Sequence, residues 1–119
     1  MRFSIRITSK AIEDIRKAAA YIREDLLNPV AADHLLDHIT ERISSLSDMP
    51  EIHQLAADPV LHDEGIRFIT IDNYIAFYRI DNESRIVYVL RFQYGKRNWL
   101  DILRGDSAPA PDQPSSPSI

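Results

Sequence analysis

Beyond the first eight residues, hydrophobic periodicity changes once along this chain, close to Gly65, and that change constrains the fold more than any other feature of the sequence. Before it, apolar residues recur every three or four positions. After it, they crowd into short runs rich in Ile, Val, Tyr and Phe. The first pattern belongs to amphipathic helices and the second to strands. The strand-like runs cover residues 66–71, 74–80 and 85–92. Asp72-Asn73 separates the first pair and Asp81-Asn82-Glu83-Ser84 the second, so two tight hairpins are expected. Gly95 breaks the last run, and residues 97–104 are expected to form a short terminal helix with Trp99, Leu100 and Leu103 turned inward.

Upstream of the switch, residues 2–8 alternate, with Phe3, Ile5 and Ile7 on one side of a half-buried strand. Ser9 then offers a cap for a helix with Ile12, Ile15, Ala19, Ile22 and Leu26 on one stripe. Asn28-Pro29 ends that helix and starts another, because proline sits well at a first helical position behind a capping Asn. The second helix carries Leu35, Ile39, Ile43 and Leu46 on one stripe and stops near Pro50. Residues 50–65, with two prolines and Gly65, read as a loop. The order β-α-α-β-β-β plus a short C-terminal helix predicts an α+β fold, a helical hairpin packed on one face of a small antiparallel sheet. That domain spans 1–104. Residues 105–119 hold four prolines and four serines and read as a flexible tail.

A chain of 119 residues and 13.7 kDa is long enough for one buried core. It contains no cysteine, which excludes a disulfide scaffold, a thiolate zinc site and a catalytic cysteine. The opening residues alternate rather than forming an apolar stretch, and no apolar run approaches the ~20 residues of a membrane span. A cytoplasmic protein without membrane contact is expected. Three glycines leave no phosphate-cradling loop. His34 and His38 have metal-binding spacing and Asp33 and Asp37 beside them, yet lack a third ligand. They read as a solvated helix face, and neither metal nor cofactor is expected.

The net charge of −4 conceals an asymmetry. Residues 1–65 carry seven basic and twelve acidic residues, whereas 66–104 carry seven basic and four acidic ones. Six of those seven basic residues are arginine, whose planar fork suits carboxylates and phosphates. If both hairpin turns have two residues, Arg67 faces Tyr78, Tyr78 faces Val87, and Tyr74 faces Arg91. One face then holds Ile66, Phe68, Ile75, Phe77, Ile86, Tyr88 and Leu90, and is expected beneath the helices. The other holds Arg67, Ile69, Tyr74, Tyr78, Val87, Val89 and Arg91, and is expected to stay open as a recognition surface. The plainer alternative is that its Tyr–Arg contacts only stabilise the sheet.

Three stretches are more specific: Tyr74-Ile75-Ala76-Phe77-Tyr78-Arg79-Ile80, Ile86-Val87-Tyr88-Val89-Leu90-Arg91-Phe92, and Tyr94-Gly95-Lys96-Arg97-Asn98-Trp99 followed by Asp101-Ile102-Leu103. Together with the helical hairpin they resemble the RelE/ParE superfamily of toxins from bacterial type II toxin–antitoxin modules, over residues 1–104. The resemblance implies a growth-inhibiting toxin of a plasmid- or chromosome-stabilising module. A cognate antitoxin would wrap its helices and sheet in a hetero-oligomer. It also implies two branches. ParE-like members bind DNA gyrase and trap it on broken DNA; RelE-like members enter the ribosome and cut mRNA.

Cleavage by 2′-hydroxyl attack needs a base, an acid and cations around the phosphorane. Where the ribonuclease branch commonly has arginine after the aromatic that opens the third strand, this chain has Ile75. Where that branch places a tyrosine near the C-terminus, it has Leu103. Net acidity also disfavours docking on ribosomal RNA. The gyrase-directed, non-enzymatic branch is therefore expected. The resemblance and the charge pattern together make Arg67, Tyr74, Tyr78, Arg91, Tyr94, Lys96, Arg97 and Trp99 the target- or antitoxin-binding residues. The alternative, a ribosome-dependent mRNA endoribonuclease, would use Arg97, Arg91 and Tyr94.

Overall fold

A computed structural model describes residues 2–95. The expected terminal helix at 97–104, the tail at 105–119, and Lys96, Arg97 and Trp99 lie outside the described residues. Strand β1, Ser4–Ile7, leads into helix α1, Ser9–Ala20, which continues as a π-helical turn over Tyr21–Asp25. Thr8, rather than Ser9, caps α1. Its hydroxyl accepts the Ala11 N–H at 3.1 Å and donates to the Leu90 carbonyl at 3.0 Å, so the cap also ties the helix to the sheet. Helix α2, Pro29–Ser44, starts as the Asn-Pro pair requires: the Asn28 side chain accepts the Ala31 N–H at 3.1 Å. No helix among the described residues is long and apolar enough to cross a membrane.

The stretch 50–65 holds more structure than a plain loop. A 3₁₀ turn forms over Pro50–Ile52, and a short helix α3, Pro59–Asp63, is capped by the Asp58 carboxylate. Strands β2 (Ile66–Ile71), β3 (Tyr74–Asp81) and β4 (Ile86–Tyr94) follow. The sheet order is β1-β4-β3-β2. Consecutive hairpins make β2, β3 and β4 antiparallel, whereas β1 pairs with β4 in parallel, from Ser4 opposite Ile86 to Ile7 opposite Val89. The expected α+β arrangement stands, with one parallel pair that the intervening helical hairpin makes possible. Outside β2, residues 54–56 run antiparallel to it: Ala56 N–H donates to the Ile66 carbonyl at 2.8 Å and Phe68 N–H to the Gln54 carbonyl at 3.2 Å. Part of that sheet edge is therefore covered.

The first hairpin has the expected register, with Ile71 opposite Tyr74 and Arg67 opposite Tyr78. The second does not. Asp81 pairs with Ile86 across a four-residue connection, and its carboxylate accepts the N–H groups of Glu83 and Ser84 at 3.1 and 3.3 Å. The register then shifts at Phe77/Tyr78: Tyr78 faces Val89, but Phe77 faces Arg91. Tyr74 consequently faces Tyr94, not Arg91.

Alternation sorted the strand residues into two faces correctly as far as Leu90 and chose the wrong one as open; past the register shift, Arg91 falls with Phe77 rather than with Tyr74 and Tyr78. Ile69, Ile71, Tyr78, Val87 and Val89 are buried under the helices with Leu35, Ile39, Ile43 and Leu46. The face expected there, with Ile66, Phe68, Ile75, Phe77 and Leu90, packs instead against Leu61 of α3 and Ala56. Both sets are apolar, so alternation alone cannot tell which one a helical hairpin covers. Helix α1 is also rotated from its expected stripe. Ala11 and Ala19 are buried and Ile15, Ala18 and Ile22 pack on the core, while Ile12 and Leu26 are exposed. Small alanines let the helix approach the sheet closely, and the π turn changes the phase before Leu26.

An aromatic cleft as the candidate functional site

Tyr74 and Tyr94 are brought together at the end of the sheet where the β2–β3 turn meets the end of β4. The Tyr74 ring stacks on Phe92 with centroids 4.9 Å apart and planes 9° apart, and meets the Tyr94 ring nearly edge-on at 5.5 Å. The two tyrosines border a cleft of about 380 Å³ lined by Thr70, Asp72, Asn73, Tyr74, Ile75, Tyr94 and Gly95. Burial pushes the Tyr74 phenol above its ordinary range, and the neighbouring Tyr94 and Tyr21 phenols add to this. At neutral pH it is therefore a hydrogen-bond donor rather than a base. Tyr94 keeps 38% of its surface exposed.

The cleft is closed by backbone. Gly95 N–H donates to the Asn73 carbonyl at 2.8 Å, and a Cβ at residue 95 would lie 3.1 Å from that oxygen. Asp72 sits at φ +56° in the two-residue turn, a conformation short polar side chains tolerate. Helix α2 holds this wall from outside: His38 Nδ1 lies 3.0 Å from an Asp72 carboxylate oxygen, and Arg42 donates to the Thr70 carbonyl from Nε at 3.3 Å and Nη2 at 3.2 Å.

The Asp72 hydrogen bond, then its charge, raises the His38 pKa above the ordinary 6.5. A raised folded-state pKa means that this contact stabilises fully below the unfolded value and fades as pH rises through the folded one. Asp72→Asn is expected to return the His38 titration, followed by NMR, toward about 6.5; an unmoved midpoint would rule out the pairing.

The other expected site residues within the described region are committed to the fold. Tyr78 has no exposed surface, and its hydroxyl donates to the Pro50 carbonyl at 2.5 Å. Burial pushes its pKa up to about 12. Arg67 donates to the His53 carbonyl at 2.7 Å and the Glu51 carbonyl at 3.3 Å, pinning the 50–55 segment. Arg91 forms a fork with Asp14 of α1, Nε at 2.7 Å and Nη2 at 3.0 Å, with the two side chains only 16% and 12% exposed. The open arginine-and-tyrosine face therefore does not exist; its tyrosines divide between a sealed Tyr78 and a cleft-lining Tyr74. Sequence reasoning missed Asp14, His38 and Asp72 as partners. Asp14 lies 77 positions from Arg91, and no local pattern marks that contact.

The cleft wall among the described residues is aromatic, amide and acidic, with no lysine or arginine. It offers ring area and hydrogen-bond donors to a protein surface more readily than a cationic bed to a phosphodiester.

Residues 5–99 match the profile described as ParE toxin of type II toxin-antitoxin system, parDE. No curated protein matches the sequence. Among solved structures, the chain resembles one titled as the chromosomal ParDE toxin–antitoxin system from P. aeruginosa, at 20% identity and a TM-score of 0.63, covering 77% of this chain and 95% of that one. The RelBE2 toxin–antitoxin complex from Mycobacterium tuberculosis is similar at 23% identity and a TM-score of 0.56, covering 79% and 99%. A free-state mutant of the E. coli toxin RelE is similar at 16% identity and 0.56, covering 86% and 93%. At these identities the structural likenesses carry the fold.

Proposed function

Because the chain belongs to the ParE toxin family of type II toxin–antitoxin systems, we propose that it arrests growth by binding DNA gyrase in the cytoplasm, without cutting RNA, and that a cognate antitoxin neutralises it. The observation that carries this reading is the Arg91–Asp14 fork. The endoribonuclease alternative rests on Arg97, Arg91 and Tyr94. A guanidinium already paired bidentately and mostly buried is not available to a phosphorane. The exposed ring of Tyr94 beside a cleft instead has the character of an interface anchor. Lys96, Arg97 and Trp99, which follow that ring in sequence, extend the proposed contact. The antitoxin partner is supported by neighbours whose titles describe toxin–antitoxin complexes.

Induction without the antitoxin, with parallel assays for DNA double-strand breaks and for mRNA ends, tests the reading. Breaks and a DNA-damage response with no codon-positioned mRNA cuts are expected; A-site cleavage with intact DNA would overturn it. Tyr94→Ala is expected to weaken binding to purified gyrase by about 2 kcal/mol, roughly 30-fold, as loss of an aromatic anchor does. Unchanged affinity would remove the cleft from the interface.

A further inference from the structure

Strand β4 changes face partway along, and helix α1 holds it there. Val87, Val89 and Phe92 belong to the helix-covered core, and Tyr94 lies beside Tyr74 on that same side of the sheet, its ring still exposed. Odd positions before the bulge and even positions after it share one side, which a regular strand of period two cannot do. Without the extra residue, Tyr74 would face Gln93, and Phe92 and Tyr94 would turn to the opposite face. A bulge frees ladder groups that need partners. Both supplied here come from α1, one from its cap and one from its middle. The Thr8 hydroxyl donates to the Leu90 carbonyl at 3.0 Å, and an Asp14 carboxylate oxygen accepts the Phe92 N–H at 3.0 Å while pairing Arg91.

We infer that Asp14 is a positioning residue for the recognition surface: by holding the bulge in β4, it aims Phe92 and Tyr94 at Tyr74 and so builds the cleft. The inference rests on the cleft being the contact surface, but its structural half can be measured without any target. Rings stacked as Tyr74 and Phe92 are shift each other's NMR signals, and Phe3, beneath the Arg85 guanidinium just ahead of the start of β4, serves as an internal control.

In the full-length chain, Asp14→Ala is expected to bring the Tyr74 ring signals to ordinary positions while those of Phe3 stay put, and to cut toxicity at least 100-fold. Asp14→Asn keeps an acceptor for the Phe92 N–H. It is expected to retain the Tyr74 shifts and lose less than tenfold in toxicity. Tyr74 signals unmoved in Asp14→Ala, or equal loss in both variants, would overturn the inference. If Asp14→Ala does not fold, Phe92 amide exchange in Asp14→Asn decides: protection within tenfold of the parent supports the clamp, and faster exchange refutes it. Altered rings with full toxicity would leave the clamp standing and instead refute the cleft as the contact surface.

Discussion

Arg91→Ala is expected to cost about 3 kcal/mol of folding stability, read as a lower urea midpoint at unchanged slope. The substitution strands the Asp14 carboxylate, only 12% exposed, with the Phe92 N–H as the acceptor site's remaining contact of the three. A buried ion pair contributes little net, because desolvating two charges offsets most of their attraction, but removing one partner leaves the other's desolvation uncompensated. Adding Asp14→Ala to Arg91→Ala should therefore restore part of the loss, and the double-mutant cycle measures that coupling. A change below about 0.5 kcal/mol, typical of a free surface arginine, would return Arg91 to the pool of target-binding side chains.

Tyr78→Ala should be as damaging, at about 3–5 kcal/mol, because it empties a fully buried aromatic site beneath the helices. Tyr78→Phe separates the ring from its hydroxyl. It keeps the packing but leaves the Pro50 carbonyl without this donor, for about 1–3 kcal/mol. The phenol also has a pH signature. Its pKa is raised from 10.0 to about 12, so the folded state favours the neutral form. That stabilisation is complete below pH 10 and is lost as pH climbs toward 12. Equilibrium unfolding between those values should show stability declining more steeply in the parent than in Tyr78→Phe; parallel curves would mean that the hydroxyl is not sequestered.

Local patterns with a single physical solution were legible in the sequence. The Asn28-Pro29 punctuation, the stripe of Leu35, Ile39 and Ile43 on α2 continued by Leu46 in the 3₁₀ turn after it, and the Asp72-Asn73 turn each came out as read. What was not legible depended on comparing distant parts of the chain. Two strand faces of similar apolarity compete for one helical layer, and the loser here is served by α3, a five-residue helix hidden in what reads as a loop. The bulge in β4 carries neither glycine nor proline to announce it, and the carboxylate that stabilises it comes from the opposite end of the domain. Arginine beside tyrosine looked like a recognition surface; at Arg67, Tyr78 and Arg91 the same polar groups are fasteners for loops and helix. Among the candidate residues within the described region, only Tyr74 and Tyr94 line the cleft.

The parallel pairing of Ser4 with Ile86 has a temporal consequence. The first strand to emerge during synthesis has its sheet partner among the last strands translated, so an N-terminal portion of the nascent chain cannot complete the sheet. Closing so long a loop adds little to equilibrium stability but delays folding. A surface built on the β4 end of the sheet is then complete only after nearly the whole message for the domain has been read, an interval in which a binding partner can already be waiting.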